Sequence, residues 1–194
     1  MVNEQILVVK RAVLLKDDVW HGLNQGNTTS YIETINTHKE FLPREHMETN
    51  PLYKQIIPYL IFKHNNRYFL MQRKAKASEQ RLKNKYTLGI GGHIRKEDMT
   101  GNDIFAWARR EFDEEIAYTG SCTITPLGLL NDDSNEVGKV HIGLILLLEG
   151  NSAAIAVKSE LASGQLLTLQ ECEQYYDTME SWSQILFDYL KNTK

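Results

Sequence analysis

The stretch from Gly91 to Ala117, GGHIRKEDMTGNDIFAWARREFDEEIA, constrains this chain more than any other. A glycine pair leads through a polar loop into a helical segment bearing Arg110, Glu111, Glu114 and Glu115. On a helix, positions i, i+3 and i+4 are neighbours, so the three glutamates crowd one side. Like charges at that spacing repel by about 0.2–0.5 kcal/mol per exposed pair. Such a cluster is either a solvated acidic face or a set of oxygen ligands for a hard divalent cation such as Mg²⁺ or Mn²⁺. The glycine pair favours the cation, because glycine lets the backbone turn sharply and a ligand approach closely. Ile104, Phe105, Ala108 and Phe112 form the apolar stripe of this helix. Asn102 is the N-cap candidate, with Asp103 in the first turn.

These residues resemble the Nudix box, G-x5-E-x7-R-E-U-x-E-E-x-G-U with U a bulky apolar residue. Arg110-Glu111-Phe112-Asp113-Glu114-Glu115 fits the R-E-U-x-E-E core, and Gly91-Gly92 fits the glycine start. The loop is four residues longer than in the signature, Asn102 stands at the first glutamate, and Ala117 replaces the second glycine. Glu97 and Asp98 are both placed to supply the missing carboxylate.

The resemblance implies a metal-dependent Nudix hydrolase that cleaves a phosphoanhydride bond in a nucleoside diphosphate linked to another moiety X. It implies an α/β/α sandwich with a mixed sheet. The implied metal ligands are Glu111, Glu114, Glu115 and the Gly91 carbonyl, with Mg²⁺ or Mn²⁺ as cofactor. Arg110 would hold a box glutamate in place, and a box glutamate such as Glu114, or Glu160 downstream, would be the general base. Two other readings share the fold. An isopentenyl-diphosphate isomerase would need a cysteine before the box, and Cys122 is the first cysteine. A non-catalytic nucleotide sensor would bind without turnover.

Length and composition fit this frame. At 194 residues, a Nudix domain over 51–194 preceded by an N-terminal extension over 1–50 packed on it is expected. A net charge of −3 provides no global attraction to nucleic acid or to an anionic membrane. Two cysteines without a C-x-x-C pattern indicate neither zinc nor a disulfide scaffold. With neither a signal-peptide pattern nor an apolar run long enough to span a bilayer, a cytoplasmic location is expected.

Along the chain, Gln5–Leu15 reads as one or two strands, Asp17–Ser30 as a loop or short helix, and Pro43 as a breaker. Gln55–Lys63 and Tyr68–Arg73 flank a His64–Arg67 turn and predict a hairpin. Pro58 predicts an edge or bulge. Between Arg73 and Lys85 six basic residues face one acid, Glu79. This is either a solvated loop or a rim for phosphates, with Arg73 and Arg81 as candidate contacts. Thr123–Leu130 reads as a strand interrupted by Pro126, Asn131–Lys139 as a loop, and Val140–Leu148 as a buried strand. His141 is either a hydrogen-bonded strand-end residue or a substrate contact. Thr168–Glu171 has the form of a capping box. The final helix, Thr178–Lys191, carries the core stripe Trp182, Ile185, Leu186, Tyr189 and Leu190. Trp20, Tyr31, Tyr53, Tyr86 and Trp107 are available to stack on a base. A small nucleotide-type substrate is the expected partner, and the N-terminal segment could serve a homodimer.

Overall fold

The computed structural model describes residues 4–16, 19–74, 84–99, 103–158 and 161–193. Arg81, Asn102 and Glu160 lie outside the described residues. The strands are β1 (Gln5–Lys10), β2 (Gly22–Asn24), β3 (Glu40–Pro43), β4 (Tyr53–His64), β5 (Arg67–Arg73), β6 (Tyr86–Thr87), β7 (Gly89–Gly91), β8 (Ile116–Tyr118), β9 (Cys122–Asn131), β10 (His141–Gly150), β11 (Ile155–Val157) and β12 (Leu161–Leu167). The helices are α1 (Arg11–Leu14), α2 (Thr28–His38), α3 (Arg44–Met47), α4 (Ile104–Glu115), α5 (Glu136–Val140), α6 (Leu169–Cys172) and α7 (Ser181–Asn192). This is an α/β fold on a mixed sheet whose hydrogen-bonded order includes β12-β5-β4-β10-β9-β2. Among the described residues no helix is long and apolar enough to cross a membrane.

Two compact units make up the chain. The first comprises Met1–Tyr59, Gly91–Ala108 and Pro126–Ile145. Here β1 pairs antiparallel with β3, Gln5 opposite Pro43, and with the start of β4, Val8 opposite Gln55. Ile6, Leu7, Val8 and Val9 are all buried, so both faces of β1 are covered. The strand does not continue to Leu15. The Arg11 N–H donates to Leu52 O and the Leu15 N–H to Arg11 O, which turns the chain into α1. The polar run after it holds β2 and the first turn of α2, and Pro43 separates β3 from α3.

The segment Asn131–Lys139 is not simply a loop. Asn135 caps α5 by accepting from the Gly138 N–H. Gly138 lies so close to Asp132 that a Cβ would fall 1.6 Å from the Asp132 carbonyl. β9 runs unbroken through Pro126 and pairs with β2, Gly22 opposite Asn131. Gly128, at φ +153°, makes that approach feasible, because a Cβ there would sit 2.2 Å from Asn24 O.

The second unit comprises Leu60–Ile90, Arg109–Thr125 and Leu146–Lys194. The expected hairpin is present, with Lys63 opposite Tyr68 and the turn passing through Asn65 at φ 54°. β5 also pairs with β12, which bulges between Leu161 and Ser163, and with β6. Pro58 does not mark an edge strand. β4 lies between β5 and β10, and Pro58 falls between the stretch that pairs β1 and the stretch that pairs β5. Phe62 stacks on Phe112 with ring centroids 5.8 Å apart, and Tyr118 meets both edge-on. The capping box at Thr168 and Glu171 opens α6, and α7 buries Ser183, Leu186, Phe187 and Leu190.

Candidate functional site

The box helix α4 follows Asp103, and Asn102, the expected cap, lies outside the described residues. The Asp103 carboxylate accepts from the Phe105 N–H at 2.9 Å, and its carbonyl accepts from Trp107. Ile104, Trp107, Ala108 and Phe112 are the buried positions, while Phe105 is only half-buried. Trp107 thus takes the buried place expected of Phe105 and belongs to the core instead of to a base-stacking surface.

In the second unit, the C-terminal half of α4 carries the carboxylates. Arg110 Nη1 donates to the Glu114 carboxylate, and Arg110 Nη2 lies 3.8 Å from Glu111. Both acids thus turn toward one guanidinium and share a face. The Glu111 side chain is 17% exposed and that of Glu114 54%. Glu115 follows, half-buried. The end of this helix is closed by Lys158. Its backbone N–H donates to Glu115 O at 2.8 Å, and its ammonium donates to Asp113 O. A cation on the last carbonyls also suits the helix dipole. Lys158 carried no motif, so the sequence held no signal for it.

The donor chemistry of this face fits a hard cation, since Glu111, Glu114 and Glu115 offer only carboxylate oxygens. Among the described residues no three His, Cys, Asp or Glu side chains already converge as a metal site. Arg73, also in this unit, is committed to an ion pair with the buried Glu180 at 2.5 Å. Tyr86 packs at a tilt of 43° against Tyr175, with centroids 4.5 Å apart.

In the first unit, Gly91 ends β7 against β4. A Cβ there would lie 3.0 Å from Tyr59 and 3.2 Å from Pro58 O, so the glycine admits a close packing of chain on chain. In the loop that follows, the Arg95 guanidinium holds both Asp98 carboxylate oxygens, at 2.6 and 3.2 Å. Glu97 is exposed. Of the two candidates for the missing box carboxylate, Asp98 is thus already in a fork.

Two histidines meet just beyond the glycine pair, His93 from the loop and His141 from the start of β10. His93 Nε2 lies 2.7 Å from Gln55 Oε1 and 3.2 Å from His141 Nε2. His141 Nδ1 donates to Val137 O at 2.7 Å, and Gln55 Nε2 donates to Met47 O at 3.1 Å. Burial, helped by the nearby Arg44 and by His141 itself, pushes His93 down to about 3. Burial lowers His141 as well, against the Val137 hydrogen bond. Both rings are therefore neutral near pH 7. His93 and Gln55 were missed as site residues. The signal for His93 was its place directly after Gly91-Gly92.

Behind them Lys54 is fully buried. Its ammonium donates to Asp133 Oδ1 at 2.8 Å, Gly138 O at 2.7 Å and His141 O at 3.1 Å, which uses all three of its protons. Burial lowers the Lys54 ammonium, with Asp133 opposing. Burial alone would raise the Asp133 carboxyl, but the Arg11, Lys54 and Asn131 donors outweigh it and hold it well below the usual range. Trp20 and Tyr31 pair at 5.7 Å between centroids in the same unit.

No family model matches the sequence. Protein YmaB of Bacillus subtilis (strain 168) is 32% identical over 206 residues, a match that covers 98% of each chain. The crystal structure of Tm1382, described as a candidate Nudix hydrolase, is 30% identical and superposes with a TM-score of 0.83 over 98% of this chain and 100% of that one. The Nudix domain of Shewanella oneidensis NrtR, crystallised with ADP ribose, is 12% identical, with a TM-score of 0.57 over 71% of this chain and 86% of that one. That last likeness is one of fold. The near-complete match at 30% identity and the R-E-F-D-E-E sequence displayed on α4 lead to one conclusion: the chain belongs to the Nudix hydrolase family.

Proposed function

We propose that this chain cleaves a phosphoanhydride bond in a nucleoside diphosphate linked to another group X, using Mg²⁺ or Mn²⁺. Glu111, Glu114, Glu115 and the Gly91 carbonyl would hold the cation. The observation that carries the reading is the shared face of Glu111 and Glu114 around Arg110 on α4. Carboxylates that repel one another are retained there and steadied by a guanidinium. When bound, the cation would neutralise phosphate charge and acidify a water.

The protein's own groups have distinct tasks. Arg110 fixes the Glu114 carboxylate by a charge-assisted hydrogen bond. A box glutamate or Glu160 takes the proton from the attacking water. Arg81, outside the described residues, and the basic run around it would pair with the phosphates. Arg73 already has Glu180 as a partner, so it supports the rim more than it meets the substrate. His141 acts behind His93. A nucleotide-type substrate is supported by the ADP ribose held by the NrtR Nudix domain, a protein of the same fold.

The test is calorimetric titration of the full chain with Mn²⁺, beside Glu111→Gln and Glu114→Gln. Binding by the parent chain, weakened in both variants, is expected. Equal Mn²⁺ binding by all three would remove these glutamates from the site.

A further inference from the structure

We propose that Lys158 is a positioning residue of the cation site: from the end of β11 it fixes the last turn of α4, and through that turn the Glu114 and Glu115 carboxylates. The inference rests on the hydrolase reading above and adds a residue to that site.

The last turn of α4 is unfavourable as a free helix end. It carries Asp113, Glu114 and Glu115 and no basic residue. Negative charge at a helix C-terminus opposes the helix dipole, and neighbouring carboxylates repel one another. The last four carbonyls of a helix lack partners within it. No capping glycine relieves them, because Ile116 follows directly and opens β8. Such a turn frays when left alone, and its glutamates then lose their common face.

Lys158 supplies what the helix lacks. β8 pairs antiparallel with β11, Ile116 opposite Val157 and Tyr118 opposite Ile155. This ladder delivers Lys158, the residue after β11, to the last turn of α4. Its backbone N–H donates to Glu115 O at 2.8 Å, and its ammonium donates to Asp113 O. These two carbonyls bracket Glu114, whose carboxylate is held by Arg110. Backbone and side chain of Glu114 are thus fixed separately. That matters because Glu114 is 54% exposed and has little packing to hold it. The ladder is itself anchored, since Ile116 is buried and the Tyr118 ring meets Phe62 and Phe112 edge-on. All of these groups lie in the second unit.

A mere surface cation and a positioning residue predict opposite signs. By charge alone, Lys158 repels a divalent ion, so its removal would tighten binding. By position, its removal loosens the turn and weakens binding.

The test measures Mn²⁺ dissociation constants by calorimetry on the full chain, beside Lys158→Met, Lys158→Arg and Glu114→Gln. Melting temperatures and phosphate-product release from nucleoside diphosphate derivatives are recorded for each. Lys158→Met keeps the backbone N–H and loses the ammonium. Its dissociation constant should rise about 2–5-fold, the worth of one cation at a helix C-terminus. Lys158→Arg keeps the charge and the donors and should restore most of the affinity. A purely structural role would lower the melting temperature and leave the Mn²⁺ affinity alone. The inference is overturned by a Lys158→Met chain that binds as tightly as the parent or more so, or by equal weakening in Lys158→Arg. If Glu114→Gln still loses the cation in that case, the hydrolase reading stands without it. A parent chain that binds no Mn²⁺ overturns both. Affinity that follows Lys158 with no turnover of any compound supports this inference and overturns the hydrolase reading.

Discussion

At the scale of single residues, two charged groups dominate and they do different work. Lys54 is an ammonium with no exposure, tolerated because three oxygens surround it. Replacing it by methionine would leave Asp133 short of a partner and two carbonyls without donors. Because Asp133 keeps Arg11 and is 24% exposed, the expected loss is near the low end for a broken buried pair, about 3 kcal/mol by urea denaturation. A change under about 0.5 kcal/mol, typical of a surface site, would contradict the assigned role. Arg110, by contrast, has a proposed role in supporting the chemistry. Arg110→Lys keeps the charge but loses the fork that reaches Glu114 and lies near Glu111. Turnover should fall about 10–100-fold, as for other groups that orient metal ligands, while the urea midpoint barely moves.

The histidine pair adds a pH dependence with a definite sign. Burial depresses both folded values, His93 to about 3, while the unfolded value stays near the ordinary 6.5. Between those limits the unfolded chain binds more protons, so stability is full above pH 6.5 and is lost as pH falls toward 3. Melting at pH 7.5 and pH 5 checks this, and the drop should shrink in a His93→Gln His141→Gln double variant. An equal drop in the double variant would assign the loss to carboxylates instead.

At the scale of elements, the box helix shows both how much the sequence revealed and where local rules stop. Its existence, its apolar stripe and its acidic side follow from the 3.6-residue period, and the hairpin over β4 and β5 follows from strand pattern and turn residues. At its start Asp103, expected only in the first turn, accepts from Phe105 as a cap does. Asp103→Ala should therefore cost about 1 kcal/mol of stability by chemical denaturation, the usual worth of an N-cap. No measurable cost would return the cap to Asn102. Other elements were illegible for a physical reason. α1 and α5 are single turns fixed by contacts distant in sequence, Arg11 with Leu52 and Gly138 with Lys54. The fate of Pro58 depends on which strands flank β4, and that is a tertiary fact. The same holds for the His93–His141–Gln55 chain, whose members are 38 and 48 positions apart. No periodicity brings such residues together. The glutamates of the box were visible because a helix places them by spacing alone.

At the scale of the whole molecule, the likeness to Tm1382 and to YmaB extends over 98% of this chain, whereas the NrtR Nudix domain matches 71% of it. The segment before β4 is thus shared with the two similar proteins, and it lies in the same compact unit as the glycine turn. It provides the Met47 carbonyl to Gln55 and the Arg44 charge felt by His93. Metal-dependent phosphoanhydride cleavage by the box carboxylates is the proposed activity. Phosphate-product release from a panel of nucleoside diphosphate derivatives and nucleoside triphosphates, with Mg²⁺, with Mn²⁺ and with EDTA, tests it most directly when run beside Glu114→Gln. Turnover is expected with either cation, none with EDTA, and a loss in the variant greater than the roughly 100-fold limit for a supporting residue. Nucleotide binding without turnover of any compound would contradict it and point to a sensor.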